Sequence, residues 1–387
     1  MSHYDKLIDE VADVLVGTAA EAEQLNRLPE ATIDAIRHTR VVRALQPKSY
    51  GGDECHPVEF AEAVMRIASL NSAAGWCAGV IGVHSWQIAG FDPKLQDEIW
   101  GADPETWVSS PYAPLGVLER VDGGYRVKGR IPFSSGGEAS KWAITGALLP
   151  QDDGTMALRH IVLPRDDYWF DQDSWNVLGL KGTGSKDLVC DGAVIPDYRV
   201  YRMEDFDNGE NMAKVGNHAD LYKLPFPTFF SYAINCASQG VAEGAMNAVL
   251  ENAKNRVNAR GIKSLDDDIQ VNAIGEAAAD VRAGRAVLID VGNRLHDEVA
   301  ENGKISLQSR IDARADGVRA IRRSVEAIER VFNFAGGMAL KTDTAVNRGL
   351  RDAKTTLAHI CNTQHPIQIS WTKVTLGLEH DGGASFW

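Results

Sequence analysis

The sequence lacks most of the short motifs that announce a chemistry. Its 387 residues hold five cysteines, Cys55, Cys77, Cys190, Cys236 and Cys361, which are scattered, odd in number and never spaced as C-x-x-C. A disulfide framework or a structural zinc site is not expected; free thiols in a reducing, cytoplasmic compartment are. There is no G-x-x-x-x-G-K-[ST], no H-E-x-x-H and no G-x-S-x-G, so P-loop, zincin and serine-hydrolase readings have no support. Among ten histidines the close pair His359/His365 is spaced by six, which places the two on different faces of a helix, and no metal site is expected. Lysine- and arginine-rich runs are missing as well. With 40 basic and 53 acidic side chains the net charge is −13, which argues against nucleic acid and anionic membranes as partners. The opening MSHYDKLIDEVADVL has acids where a secretory signal would be basic and then apolar. No tandem repeat or low-complexity tract is visible. The most apolar stretch, Ser72 to Phe91, is long enough to span a membrane, but its His84, Gln87 and glycines point to a buried helix instead.

What is present is 44% hydrophobic residues, ample for a packed core. Three textures follow one another. Up to about residue 104 the pattern is helical: Leu7, Val11, Val14 and Leu15, then Ile33, Ile36 and Val41, then Ala73 to Ala89 behind an Asn71-Ser72 cap. From Thr106 to Val200 it alternates. Val117 to Val121, the turn Asp122-Gly123-Gly124 and Tyr125 to Lys128 read as a β-hairpin, with further strands over Trp142–Leu148, Leu158–Leu163 and Leu188–Ile195. From Pro227 onward four long helices are expected, over Phe229–Arg260, Asp266–Ala300, Leu307–Ala335 and Asp343–Thr375, as an antiparallel bundle. The fold class is α+β, mostly α, divided at 1–104 (helical), 105–226 (β) and 227–387 (four-helix bundle).

Few residues invite a chemical role on their own. Gly179-Leu180-Lys181-Gly182-Thr183-Gly184-Ser185 contains G-x-G but lies between strands and opens no helix, so it is either an ordinary glycine turn or a loop approaching a flat ligand. His84, within the apolar Trp76–His84 run, would be buried, either satisfied by a backbone carbonyl or held for use. Arg351, Thr355 and His359 fall at i, i+4 and i+8 on the expected last helix. Ser109-Ser110 and Ser134-Ser135-Gly136-Gly137 pair hydroxyls at strand edges.

Taken together, these stretches resemble a known family. Leu45-Gln46-Pro47 with Tyr50-Gly51-Gly52, Val83-His84-Ser85-Trp86-Gln87-Ile88-Ala89, Asp97-Glu98-Ile99-Trp100, and Ser109-Ser110 with Ala113-Pro114 occur in order. Ser134-Ser135-Gly136, the Gly179–Ser185 loop, Asn255-Arg256-Val257, Arg330-Val331-Phe332 with Gly336, and Arg351-Asp352-Ala353 follow. Nearly the full length is similar to acyl-CoA-dehydrogenase-like flavoproteins, and more narrowly to the oxygenase components of two-component flavin monooxygenases that hydroxylate phenols. The glutamate of a Tyr-Glu-Gly-Thr stretch, common in true acyl-CoA dehydrogenases, is replaced here by His359 and its neighbours. Departures from the family pattern include Phe133 in place of a tryptophan, Pro111 in place of a third serine, and Gly137-Glu138-Ala139 after the serine pair.

The resemblance implies a homotetramer and a separate NAD(P)H:flavin reductase that supplies FMNH2 or FADH2. It implies a reaction of that flavin with O2 to a C4a-hydroperoxide, and hydroxylation of a phenol, ortho to its hydroxyl. It assigns Ser135 to the flavin N5, with Ser134 and Gly136 holding the ring. Arg256 goes to flavin N1/O2 or phosphate, and Trp76, Gly336 and Gly337 to the cofactor cavity. His359 would deprotonate or polarise the phenol; His84 and Ser110 would bind its oxygen. No metal is implied. The alternatives left open are N- or S-oxygenation by the same superfamily, an acyl-CoA dehydrogenase, and a non-catalytic flavin- or ligand-binding scaffold.

Overall fold

A computed structural model describes residues 2–202, 210–258 and 260–379; the stretch 380–387, counted with the bundle on sequence, lies outside the described residues. Six helices come first: α1 (His3–Gly17), α2 (Ala19–Leu25), α3 (Glu30–Thr39), α4 (Pro57–Leu70), α5 (Ser72–Ile88) and α6 (Pro93–Trp100). α5 is the axis of the molecule. All its residues from Ala73 to Ile88 are buried, so it has no wet face, as expected for a helix walled on every side. Asn71 caps it by accepting from the Ala74 amide at 3.1 Å, and donates its own amide to the Leu15 carbonyl at 2.9 Å, which ties α1 to the start of α5. α5 lies close against α4: a Cβ on Gly75 would sit 2.2 Å from Ala68, and one on Gly82 would sit 2.5 Å from the Phe60 ring. Among the described residues no helix is long and apolar enough to cross a membrane.

Eight strands follow: β1 (Val108–Ser109), β2 (Gly116–Val121), β3 (Gly124–Ser134), β4 (Trp142–Pro150), β5 (Met156–Pro164), β6 (Trp169–Asp171), β7 (Lys186–Ile195) and β8 (Val200–Arg202). They form one sheet in the order β6-β7-β3-β2-β4-β5-β8, with β1 beside β4. The hairpin read from sequence is β2–β3, in register from Val117 opposite Lys128 to Val121 opposite Gly124. Gly123 turns it at φ +83°, a conformation that glycine adopts without strain.

After α7 (Glu210–Lys214) come α8 (Phe226–Asn255), α9 (Asp268–Asn302) and α10 (Leu307–Phe332), close to the expected spans. The fourth expected helix, Asp343–Thr375, is not continuous. It is two helices, α11 (Ala345–Thr356) and α12 (Gln364–Thr375), separated by a break that holds His359 and a single 3-10 turn over Ile360–Asn362. Pro366 explains the interruption. In a helix interior its ring would meet the carbonyl four residues earlier, at Asn362; restarting at Gln364 puts it in the first turn, where it is tolerated. His359 therefore lies off the helix, not at the end of a stripe with Arg351 and Thr355.

The largest apolar cluster draws on α1, α3–α6, β1, β4, β5 and α8–α10 together, so helices and sheet share one core. All five cysteines are buried and unpaired.

Candidate functional site

The site is built outward from α5. Trp76 projects to the turn after β3, and its indole N–H donates to Ser135 Oγ at 3.2 Å. Ser135 Oγ lies 2.7 Å from Ser185 Oγ, which lies 2.7 Å from Thr183 Oγ1. Thr183 spends its one proton on the Leu180 carbonyl at 2.8 Å. A carbonyl only accepts and each hydroxyl has one proton, so the chain has a fixed direction. Ser135 donates to Ser185, Ser185 to Thr183 and Thr183 to Leu180. Ser135 is left with one spare lone pair and no spare proton.

The turn itself is tightly made. Phe133 takes φ +75°, a strained value for a bulky residue, and the Ser135 amide closes back on its carbonyl at 3.2 Å. Gly136, at φ +65°, packs directly on α5, where a Cβ would come within 2.7 Å of Ile81. Ser134 is fully buried and donates to Ser109 Oγ at 3.1 Å, so its hydroxyl joins β1 to β3 rather than facing the opening. The glycine loop before β7 is held from below: the Leu180 amide donates to Asp352 at 2.6 Å, and burial raises that carboxyl to about 6.

Further along α5, His84 is fully buried with both ring nitrogens engaged. Nδ1 lies 2.6 Å from the Val108 carbonyl and must donate; Nε2, 2.6 Å from Ser110 Oγ, therefore accepts from that hydroxyl in the neutral ring. Burial lowers the imidazole to about 4, against the opposing pull of the Val108 carbonyl. His359 has the opposite tautomer. Its Nδ1 accepts the Cys361 amide at 3.2 Å, so a neutral ring carries its proton on Nε2. The ring keeps part of its surface open while dense walls surround it, and burial, reinforced by the Arg314 charge, lowers it to about 4.

Ring contacts join these residues into one cluster. His359 meets Trp76 edge-on at 5.6 Å between centroids and Phe230 at 6.0 Å; Phe230 meets Tyr112 at 5.1 Å; Tyr112 meets His84 at 5.6 Å. Trp76, Ser135, His84, Ser110 and His359, scattered over 284 positions of sequence, are thus neighbours in space.

Arg256, Gly336 and Gly337 are not among them. Arg256 follows the end of α8, 16 residues beyond Gly240, which packs on the same Ala68 as Gly75 beside Trp76; that is about 24 Å along the helix axis. There its guanidinium donates to Ser264 at 3.1 Å and lies on Gly336, where a Cβ would come within 2.5 Å of it. Within one chain the two groups do not come together.

Several residues of the cluster carry no sequence signal. Tyr112 donates to the Gln87 side-chain oxygen and stacks on His160 at 4.8 Å, while the Gln87 amide meets His160 Nδ1 at 2.8 Å. Gln87 lies one turn after His84, but a lone glutamine on an apolar helix does not announce a partner on β5. Thr183 and Ser185 stood in a recognised loop, yet their link to Ser135 depends on the fold.

A mostly helical chain with a central sheet between N-terminal helices and a helical bundle is the architecture of the acyl-CoA-dehydrogenase-like fold. Residues 232–364 match the family described as acyl-CoA dehydrogenase, C-terminal domain. The chain is 40% identical over 379 residues to a pigment production hydroxylase of Rhodococcus erythropolis, covering 97% of this chain and 96% of that one. It is 34% identical to the oxygenase subunit HsaA, a flavin-dependent monooxygenase of Rhodococcus jostii, covering 96% and 97%. The crystal structure of the 3-HSA hydroxylase from Rhodococcus sp. RHA1 superposes with a TM-score of 0.92 at 33% identity over 98% of both chains. The chain belongs to the flavin-dependent monooxygenases of the acyl-CoA dehydrogenase fold, as an oxygenase component that uses reduced flavin.

Proposed function

We propose that this oxygenase hydroxylates a neutral phenol, ortho to its hydroxyl, beside the cluster of Trp76, Tyr112, Phe230 and His359. Reduced FMN or FAD comes from a separate NAD(P)H:flavin reductase, and the enzyme works in the cytoplasm, where its five thiols stay reduced. The observation that carries the reading is the opposed tautomers of the two histidines within one cluster: His84 ends a hydrogen-bond acceptor line through Ser110, and His359 offers an N–H.

The donor set suits a reduced flavin. Its N5–H is a donor, and Ser135 has a lone pair to receive it, so Ser135 serves N5 as an acceptor. Trp76 and the bare backbone of Gly136 flank that position. When bound, the flavin supplies the activation of O2 and the electrophilic oxygen.

The protein acts on the phenol. Ser110 accepts the phenol proton while passing its own to His84 Nε2, so one proton enters and one leaves the serine. Moving that proton before oxygen arrives would be uphill: a phenol near 10 against an imidazole at about 4 is about 8 kcal/mol. The relay therefore holds the phenol by a hydrogen bond, enriches its ortho carbon, and takes the proton as the new C–O bond forms. With its proton on Nε2, His359 polarises by donation and does not deprotonate.

Arg256 and the Gly336-Gly337 turn serve a flavin in a neighbouring subunit of a homotetramer, a reading supported by their place past the end of α8, away from the level of Trp76.

His84→Asn tests the reading. With any efficient flavin reductase, flavin oxidation by O2 should continue while hydroxylated product falls by about 10²-fold or more and hydrogen peroxide replaces it. Unchanged coupling of oxygen use to product would overturn the relay.

A further inference from the structure

Arg314, on α10, is only 3% exposed, yet among the described residues no carboxylate pairs with it. Its Nη1 donates to the Cys361 carbonyl at 3.1 Å; its Nε and Nη2 are buried with no hydrogen-bond partner. A guanidinium stays charged inside proteins, and an uncompensated buried charge is costly. Its place explains why such a cost is tolerated. Cys361 is the residue whose amide donates to His359 Nδ1, so Arg314 and His359 grip the two ends of one residue in the α11–α12 break.

We propose that Arg314 is a positioning residue for His359: it pins the turn through the Cys361 carbonyl, so that the Cys361 amide meets Nδ1 and the ring faces substrate with its proton on Nε2, and its unneutralised charge adds to burial in opposing protonation of the imidazole. α5 presents Trp76 to the ring and α8 presents Phe230, neither of them charged. The turn itself adds the Cys361 thiol, which burial pushes up and keeps neutral. The Arg314 charge adds to burial in lowering the His359 imidazole.

The inference rests on His359 facing the substrate, but its test does not. The His359 imidazole is titrated by NMR in the flavin-free, substrate-free protein, its signal assigned by loss in His359→Gln. Arg314→Gln keeps a donor for the Cys361 carbonyl and removes the charge; Arg314→Lys keeps the charge. The glutamine variant should raise the titration by about one pH unit, and the lysine variant should leave it within a few tenths of a unit. An unmoved titration in Arg314→Gln, or an equal rise in both variants, overturns the proposal. Arg314→Met, which also removes the charge, gives the same reading if the glutamine variant does not fold. Normal hydroxylation by His359→Gln would instead overturn the substrate role of His359 and leave the Arg314 result standing.

Discussion

His84, His160 and His359 are held by burial below the ordinary imidazole value, to about 4, about 3 and about 4. Each is neutral in the folded protein where the unfolded chain, titrating near 6.5, takes a proton. Their contribution to stability is full above about 6.5 and is lost as pH falls toward 4, by up to about 1.4 kcal/mol per pH unit for each ring. Asp352 works the other way: burial raises it to about 6, so it loses stability as pH rises between about 4 and 6. Three rings against one carboxyl leave a net loss on acidification. Urea titrations between about pH 7 and about pH 5 should show stability falling, and His160→Gln, which keeps an acceptor for Gln87, should flatten the slope; a flat wild-type profile would contradict these assignments. That His84 would be buried was readable from its apolar surroundings. Its tautomer was not, because that depends on the Val108 carbonyl, which reaches the ring only once β1 lies beside α5.

At the scale of elements, α5 is the piece on which the site depends, and its glycines set how near α4 can come. A Cβ at Gly75 meets Ala68 backbone at 2.2 Å, whereas one at Gly79 meets the tip of Val64 at 3.0 Å. Gly75→Ala should therefore destabilise by about 2 kcal/mol or more, since backbone must move. Gly79→Ala should be near neutral, because its mild crowding is offset by about 1 kcal/mol of better helix propensity. Thermal unfolding of the two variants checks the order; equal stabilities would mean that α4 and α5 are not in contact at Gly75. The hairpin and three long helices were legible from alternation and periodicity. The break at His359 was misread because apolar residues continue through it at helical spacing. The signal available was Pro366, which forbids an unbroken helix across Asn362 but does not say where the chain restarts.

At the scale of the molecule, the cofactor residues expected from sequence fall into two groups, one beside the middle of α8 and one past its end, about 24 Å further along its axis. If Arg256 serves the neighbouring subunit, two inactive variants can complement each other. Arg256→Ala and His359→Gln, each inactive alone, should on co-expression give mixed oligomers in which about a quarter of sites are intact, measured as hydroxylation per bound flavin. No activity in verified mixed oligomers would place Arg256 and His359 in the site of one and the same chain.

The net charge of −13, the scattered cysteines and the missing phosphate, zinc and nucleophile motifs set limits on the chemistry, and the ordered motifs from Leu45 to Ala353 pointed to a flavin monooxygenase fold. Those are local properties, carried by composition, spacing and short runs. Tertiary structure alone decided which hydroxyl donates, which histidine nitrogen holds a proton, and that Arg314 stands behind His359 with no carboxylate partner among the described residues. A proton's place follows from the partner across the gap, and those partners lie 24 positions away for His84 and Val108, 50 for Ser135 and Ser185, and 47 for Arg314 and Cys361.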